Sequence, residues 1–545
     1  MEFFYSEFQS ELERVDFLMG KQADPSKPYE FKYEAREVLQ KLLEHPSLQG
    51  ESSISTSAKA IVYYMLGVNH FETEEITQSD KHYSQALELL HSLPHEEQTR
   101  YLNAFQDLYN ALGILYCNRG ENQPGLDYFN KATLLYQGMK TAGGDKFSHN
   151  LMDYLAGIDD FRFIIDGGIN IQKAEQNYTL SLFYMAQCYE KLGDKQKAAM
   201  YCAETMQRQM ETGDYEIKDW AVNAISMAEY YQETKYLNMA LYTLQCAMKL
   251  LPTDSKRKLR STLHMQIARC FEAFLETGIE LHESGSEIPR EVHEKSVEFN
   301  LEVPFPSYTP PLDLEAAKNT FKMSNYHFNE ALKFFLIEGY VTEHIEMKRD
   351  ISTLYRYLAY FEQDKRRVLA MVQRRLELVE PYTKELNSQA YSALWQQLMN
   401  EVAQLYLDIY DLKNDTLASK GKKKKDLYDK TNDFAMVSIE KQQELLEFIK
   451  TFEVNEDTAK DLIQSRLNIM FGVARIYSRL EHPDKSRKLE YMKKSLLWYE
   501  RIQEYLQEVK KGQYAEKVSD LNEQLRICEE MVGLMPIRIS QVNAE

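Results

Sequence analysis

Along most of the chain, apolar residues return every three or four positions, and no stretch keeps the strict alternation of a half-buried strand. That pattern predicts one amphipathic helix after another. Four segments also share a layout in which a small residue on a first helix is followed by aromatic, apolar or small residues at fixed distances down a second. In residues 109–132, Tyr109, Leu112, Gly113 and Tyr116 mark the first helix, and Gly125, Phe129 and Ala132 the second. Residues 182–205 carry Leu182, Met185, Ala186 and Tyr189, then Ala198, Cys202 and Thr205. Residues 228–247 carry Ala228 and Tyr231, then Ala240, Leu244 and Ala247, while residues 66–86 carry Leu66 and Gly67, then Tyr83 and Ala86. The small residues let paired helices approach closely, and the aromatics fill the groove between repeats.

This layout resembles the tetratricopeptide repeat, a helix pair of ~34 residues. The intervals here are longer: 46 residues from Gly67 to Gly113, 73 to Ala186 and 42 to Ala228. The 73-residue interval, with breaks at Gly143-Gly144 and Gly167-Gly168, predicts additional helix. One long connecting helix is expected from Leu259 to Leu281. A cluster of breakers follows: Ser284-Gly285-Ser286, Pro289, Pro304, Pro306, Pro310 and Pro311. Beyond it, long helices are predicted around 312–340, 346–380, 388–412, 430–452, 456–480 and 486–530. Phe471-Gly472-Val473-Ala474 with Tyr477 is the best echo of the repeat there. The expected organisation is an N-terminal solenoid over 1–257, a linker helix over 258–282, a proline-rich break over 283–311 and a C-terminal solenoid over 312–545. The fold class is all-α, an α-solenoid of tetratricopeptide-like helix pairs.

Composition agrees: among 545 residues only 14 are Pro and 21 Gly, which favours long helices over turns. Chemistry is harder to find. The six cysteines sit singly in helical patterns, without a CxxC or a His placed to complete a zinc site, and read as buried apolar thiols. Phosphate-binding, zinc-protease and nucleophile-elbow motifs are missing. His482-Pro483-Asp484 reads as a turn in which Pro stops one helix and Asp caps the next. Neither an enzyme nor a cofactor or metal site is expected. No apolar run approaches ~18 residues, and Glu2, Glu7 and Glu11 do not make a leader, so a cytoplasmic protein is expected. A net charge of −19 would repel nucleic acid, anionic lipid and the acidic microtubule surface, and would attract a basic protein surface. The exception is the run Lys422 to Lys425. It reads as a solvated loop, the alternative being a nuclear-import or acidic-partner patch.

First helices of such arrays line a concave face. A clamp for a C-terminal carboxylate would need Lys and Asn at set positions. The corresponding residues are Tyr64 and Val68, Asn110 and Ile114, Phe183 and Gln187, Ile225 and Glu229, so no such clamp is expected. The chain instead resembles the KIF-binding protein family nearly from end to end. The likeness is carried by Leu66-Gly67-Val68-Asn69-His70, Tyr184-Met185-Ala186-Gln187-Cys188-Tyr189 and Trp220-Ala221-Val222-Asn223-Ala224. It continues in Ile267-Ala268-Arg269-Cys270, Gly339-Tyr340-Val341-Thr342-Glu343-His344, Val379-Glu380-Pro381-Tyr382 and Met531-Val532-Gly533-Leu534-Met535-Pro536.

The resemblance implies a right-handed solenoid whose two halves are joined by a linker helix. It also implies a cytoskeletal regulator that binds kinesin motor domains on their tubulin-facing side and blocks microtubule attachment. Implied contacts are Tyr184, Gln187, Gln209 and Ser226 in the first half. In the second half a loop over Thr383–Gln389 is implied, with Glu385, Asn387 and Gln389 as contacts. Here Ser226 stands for a Thr of the family, Glu385 for an Asp and Ser388 for a Pro. Tyr184 and Ser226 fall in the same slot of successive repeats. A generic adaptor for an extended peptide is the alternative.

Overall fold

The computed structural model describes residues 2–98, 101–143, 170–213, 215–252, 257–419, 425–453, 455–456, 458–513 and 522–544. Among these residues the regular structure is helical throughout. Contacts divide the chain into two compact units. One comprises 1–234, 245–250 and 294–305; the other comprises 235–244, 251–293 and 306–545.

In the first unit each helix packs mainly on its chain neighbour. α1 (Glu2–Gly20) pairs with α2 (Glu30–Glu44), and α3 (Ser53–Glu72) with α4 (Ile76–Ser92). α5 (Leu102–Asn118) pairs with α6 (Asn122–Gly143), and α7 (Ile171–Lys191) with α8 (Lys195–Thr212), against which α9 (Ile217–Glu233) packs. The sequence explains the close approaches. A Cβ on Gly67 would collide with the ring of Tyr83, and one on Gly113 would lie 2.6 Å from the ring of Phe129. A Cβ on Gly125 would lie 2.6 Å from Cys117 Sγ and 3.0 Å from the carbonyl oxygen of Gly113. Any side chain at these three positions would force the helices apart.

The turns repeat as well. Glu74, Gly120, Gly193 and Lys235 each stand seven residues past Gly67, Gly113, Ala186 and Ala228, and each is left-handed, with φ of 63°, 80°, 84° and 65°. In the first three turns the next amide returns to the helix: Glu75 N–H to His70 O (2.8 Å), Glu121 to Tyr116 (2.9 Å) and Asp194 to Tyr189 (2.9 Å). That is the helix-ending geometry glycine favours. Glu74 adopts it without being glycine, at a backbone cost of about 1–2 kcal/mol.

Between α5 and α7 runs a polar seam that the apolar pattern does not forecast. Asn103, Gln106 and Asn110, spaced along one face of α5, donate to the carbonyls of Asn170 (3.0 Å), Ala174 (3.1 Å) and Asn177 (2.9 Å). Ser181 Oγ donates back to Asn110 Oδ1 (2.7 Å). Two cysteines read as isolated also meet here, Cys117 and Cys188, as free thiols with Sγ atoms 3.1 Å apart. The additional helix expected after Gly143 falls on residues outside those described.

The second unit repeats the pairing with longer helices. α10 (Leu237–Leu250) divides between the two units. The long helix expected from Leu259 to Leu281 is α11 (Arg257–Ser284), packed on α12 (Leu314–Leu332). The next pairs are α13 (Val341–Tyr360) with α14 (Lys365–Val379), α15 (Ser392–Ser419) with α16 (Lys425–Lys450), and α17 (Ala459–Arg479) with α18 (Lys485–Lys511). α19 (Asn522–Ala544) packs on α18.

A shared signature appears that sequence reading missed. A serine on the second helix donates its hydroxyl to the carbonyl of a small residue on the first. The pairs are Ser324 to Ala268 (2.8 Å), Ser438 to Ala403 (2.7 Å) and Ser495 to Ala474 (2.8 Å). In the first unit Ser79 treats Gly67 the same way (2.8 Å). The second unit therefore obeys the same close-packing rule without the aromatic marker.

Two expected helices are corrected. The span 346–380 is broken between α13 and α14, because Asp364 takes a β conformation and accepts the amide of Arg366 (2.9 Å) as an N-cap. The span 486–530 ends at Lys511, before Gly512, and a separate helix begins at Asn522. The turn reading of His482-Pro483-Asp484 holds: Asp484 Oδ1 accepts the amide of Ser486 (3.0 Å) and caps α18. The proline-rich stretch is anchored by buried Asn238, which donates to Val292 O (2.7 Å) and Tyr308 O (2.8 Å) and accepts from Tyr308 N–H (2.9 Å). Pro311 lies directly against Gly278 of α11.

Candidate partner-binding surface

In the first unit, the four residues implied as contacts stand on three consecutive helices, each packed on the next. Tyr184 and Gln187 lie three apart on α7, Gln209 on α8 and Ser226 on α9. Helix register places Gln187 and Ser226 in solvent, with Tyr184 and Gln209 half-buried. Tyr184 is fixed from below. Its ring stacks on Phe129 at 5.5 Å and 6° between planes, and Phe129 itself fills the space above Gly113. Burial, and then the nearby Cys117, pushes the Tyr184 phenol above its ordinary value, so it stays a neutral hydroxyl at physiological pH.

Gln209 is held near the end of α8. Its neighbour Arg208 pairs with Glu175 of α7, donates Nε to Thr179 Oγ1 (3.0 Å) and lies 4.6 Å over the ring of Tyr178. The side-chain oxygen of Gln209 is buried and accepts no hydrogen bond from the described residues. An acceptor so placed costs about 1–3 kcal/mol until a donor reaches it. Trp220 of α9 donates Nε1–H to Met206 O of α8 (3.2 Å) and so locks the helix carrying Ser226. Sequence reasoning passed over exposed apolar side chains on these same helices, Leu180 and Val222 among them. Leu180 of α7 is 38% exposed and Val222 of α9 45%, each within two turns of Gln187 or Ser226. Their signal was available in the repeat register: Val222 precedes Ser226 by one turn.

In the second unit, the implied loop is more ordered than its sequence suggests. Tyr382–Glu385 forms one helical turn between α14 and α15. Thr383 is buried: its Oγ1 donates to Glu380 O (2.8 Å), and Trp395 donates Nε1–H to Thr383 O (3.0 Å). Leu386 packs on the core. Glu385, Asn387 and Gln389 are left facing solvent. Asn387 has a second task, since its Oδ1 accepts the amides of Gln389 (3.0 Å) and Ala390 (3.1 Å) and holds the turn. Its side-chain amide nitrogen is the part left for a partner. Most of the Lys422–Lys425 run lies outside the described residues; Lys425 pairs with Asp484 at 2.8 Å. No helix among the described residues is long and apolar enough to cross a membrane.

Helix pairs closed by small residues, turned at one repeated position and stacked on their neighbours define an all-α protein of the α-solenoid class. Residues 305–542 match the family model described as KIF-1 binding protein C terminal. The KIF-binding protein of Gallus gallus is 28% identical over 96% of this chain and 94% of that one. The KIF-binding protein of Homo sapiens is 28% identical over 88% and 84%. The cryo-EM structure of the KIFBP core is similar at 22% identity, over 52% of this chain and 91% of that one, with a TM-score of 0.34. The chain is thus similar to KIF-binding proteins over nearly its whole length, and residues 305–542 match that family's C-terminal model.

Proposed function

We propose that this chain is a non-catalytic binding protein that captures kinesin motor domains on their tubulin-facing side. It thereby keeps them off microtubules and regulates transport along them, acting in the cytoplasm. The observation that carries this reading is the likeness, across 96% of the chain, to a protein named for binding a KIF. Charge supports it. A motor surface that grips an acidic lattice must be basic, and a chain of net charge −19 attracts such a surface and can compete for it.

Tyr184, Gln187, Gln209 and Ser226 form the proposed contact of the first unit, with Glu385, Asn387 and Gln389 that of the second. The first set offers neutral hydroxyl and amide groups beside exposed Leu180 and Val222, suited to a folded polar surface with some apolar relief. Binding of the full chain to an isolated kinesin motor domain, measured across salt concentrations, tests this. Affinity that falls steeply with salt, and that a short kinesin tail peptide does not compete away, supports the proposal. Full competition by the peptide would replace it with an adaptor for extended segments.

A further inference from the structure

In the second unit a cavity of about 670 Å³ opens where the first turns of α14 and α16 meet the last turns of α15. Four cations line it: Lys365 and Arg366 from α14, Lys413 from α15 and Lys430 from α16. The one acid among the lining residues is Asp433. In a chain with 84 acidic against 65 basic residues, such a concentration runs against the average field. Lys365 is paired with Asp415 at 3.2 Å. Arg366, Lys413 and Lys430 form no ion pair with a described carboxylate; the Lys413 ammonium lies over the ring of Phe434 at 4.8 Å. The apolar part of the lining is Leu369, Leu412, Leu417, Leu427 and Phe434. The amino ends of α14 and α16 add positive partial charge, set against the carboxyl end of α15 and the Asp364 cap of α14.

We propose that this cavity is a docking site for an acidic peptide segment that carries an apolar side chain between its carboxylates. Its unpaired cations meet carboxylates in charge-assisted hydrogen bonds, and the apolar lining receives the apolar group. The volume lies within the ~300–1,000 Å³ of ligand clefts. A nucleotide base would need an open aromatic face, and the one ring in the lining has Lys413 over it. A membrane would need a protruding apolar surface, whereas Leu427 alone of the apolar lining is exposed. The site is distinct from the surface proposed for kinesin capture, so either can stand without the other.

The test uses the full-length protein and a fluorescein-labelled short peptide of glutamates around a central leucine–phenylalanine pair, read by anisotropy. Binding is expected to weaken severalfold between about 50 and 300 mM salt. Lys413→Glu with Lys430→Glu should weaken it at least ~10-fold, the loss of two charge-assisted contacts. Lys218→Glu with Lys322→Glu, the same charge change elsewhere on the surface, should leave it within about twofold. Should the first pair disturb the fold, as judged by circular dichroism, Lys413→Gln with Lys430→Gln gives the same test with a smaller expected loss. Equal binding by the pocket variants and wild type would overturn the site. Equal binding of a glutamate-only peptide would overturn the role of the apolar lining. Tight binding of ATP without binding of the peptide would reassign the cavity to small anions.

Discussion

Replacing Gly113 with alanine sets two effects of opposite sign against each other on α5. Alanine is the better helix former by about 0.8–1.0 kcal/mol, so propensity alone predicts a more stable protein. The new methyl would lie 2.6, 2.7 and 2.9 Å from three ring atoms of Phe129, well inside the ~3.5–4.0 Å of a good carbon–carbon contact. Phe129 is 0% exposed and packed among Cys117, Met185 and Cys188, so the ring cannot slide without moving α7. Overpacking of this kind costs about 1–3 kcal/mol, and the rigid surroundings place this case at the upper end. The net expectation is a loss of about 2 kcal/mol. Gly138→Ala is the built-in comparison, because nothing lies within 4 Å of a methyl there. It should gain up to about 1 kcal/mol. In thermal unfolding, 1 kcal/mol corresponds to about 2–4 °C for a cooperative unit of 150–250 residues. Gly113→Ala should therefore lower the melting temperature of the first unit by roughly 4–8 °C, and hydrogen exchange in peptides from 102–143 should quicken. A Gly113→Ala protein as stable as wild type or more so would show that the α5–α6 contact is looser than described.

Asn110→Ala removes one rung of the seam between α5 and α7. It should cost about 1–2 kcal/mol and speed amide exchange across 171–191, whereas unchanged exchange there would mean the seam contributes no stability. Glu272 of α11 gives a pH signature. Burial, reinforced by Asp350 and Glu276 and opposed by Arg269 and Arg356, pushes its carboxyl up to about 8 from the ordinary 4.5. Between those values the folded chain holds a proton that the unfolded chain has released. The group's stabilising contribution is therefore complete below 4.5 and is lost as pH rises towards 8. Glu272→Gln should raise the melting temperature at pH 8 and not at pH 5; a uniform shift across pH would exclude this assignment. Asn387→Asp keeps the oxygen that accepts the amides of Gln389 and Ala390 but removes the side-chain N–H donors. Stability should be retained while motor binding weakens severalfold, and a fall in both would reduce Asn387 to a capping residue.

The helix pairs were legible where side-chain volume is traded between positions. Repeat spacing picked out Gly67 with Tyr83 and Gly113 with Phe129, but the rings, expected between repeats, lie against the glycines of their own pair. The polar seam was not legible: Asn103, Gln106 and Asn110 have the composition of a solvated face, and only their partners 67 or 68 residues away show otherwise. The serine-to-small-residue contacts of the second unit stayed hidden because serine is equally at home in caps, turns and exposed faces. The break at Asp364 was missed because neither Gly nor Pro marks it, and an N-cap aspartate inside a charged run looks like more helix. For the candidate surface, repeat register placed Tyr184 and Ser226 in equivalent slots. Choosing them over other polar residues rested on family resemblance, since nothing local distinguishes Gln187 from a solvated glutamine. The inward Thr383 and Leu386, alternating with outward Glu385 and Asn387, emerge only once the helical turn at Tyr382–Glu385 is known.

The most direct test of kinesin capture is co-sedimentation of a kinesin motor domain with microtubules, with and without excess full-length protein. A Gln187→Ala, Gln209→Ala variant serves as the comparison. The wild-type chain is expected to move the motor into the supernatant, and the double variant to do so less at equal concentration. A motor that stays on the microtubule whatever the amount of wild-type chain, for every kinesin tried, would contradict kinesin capture.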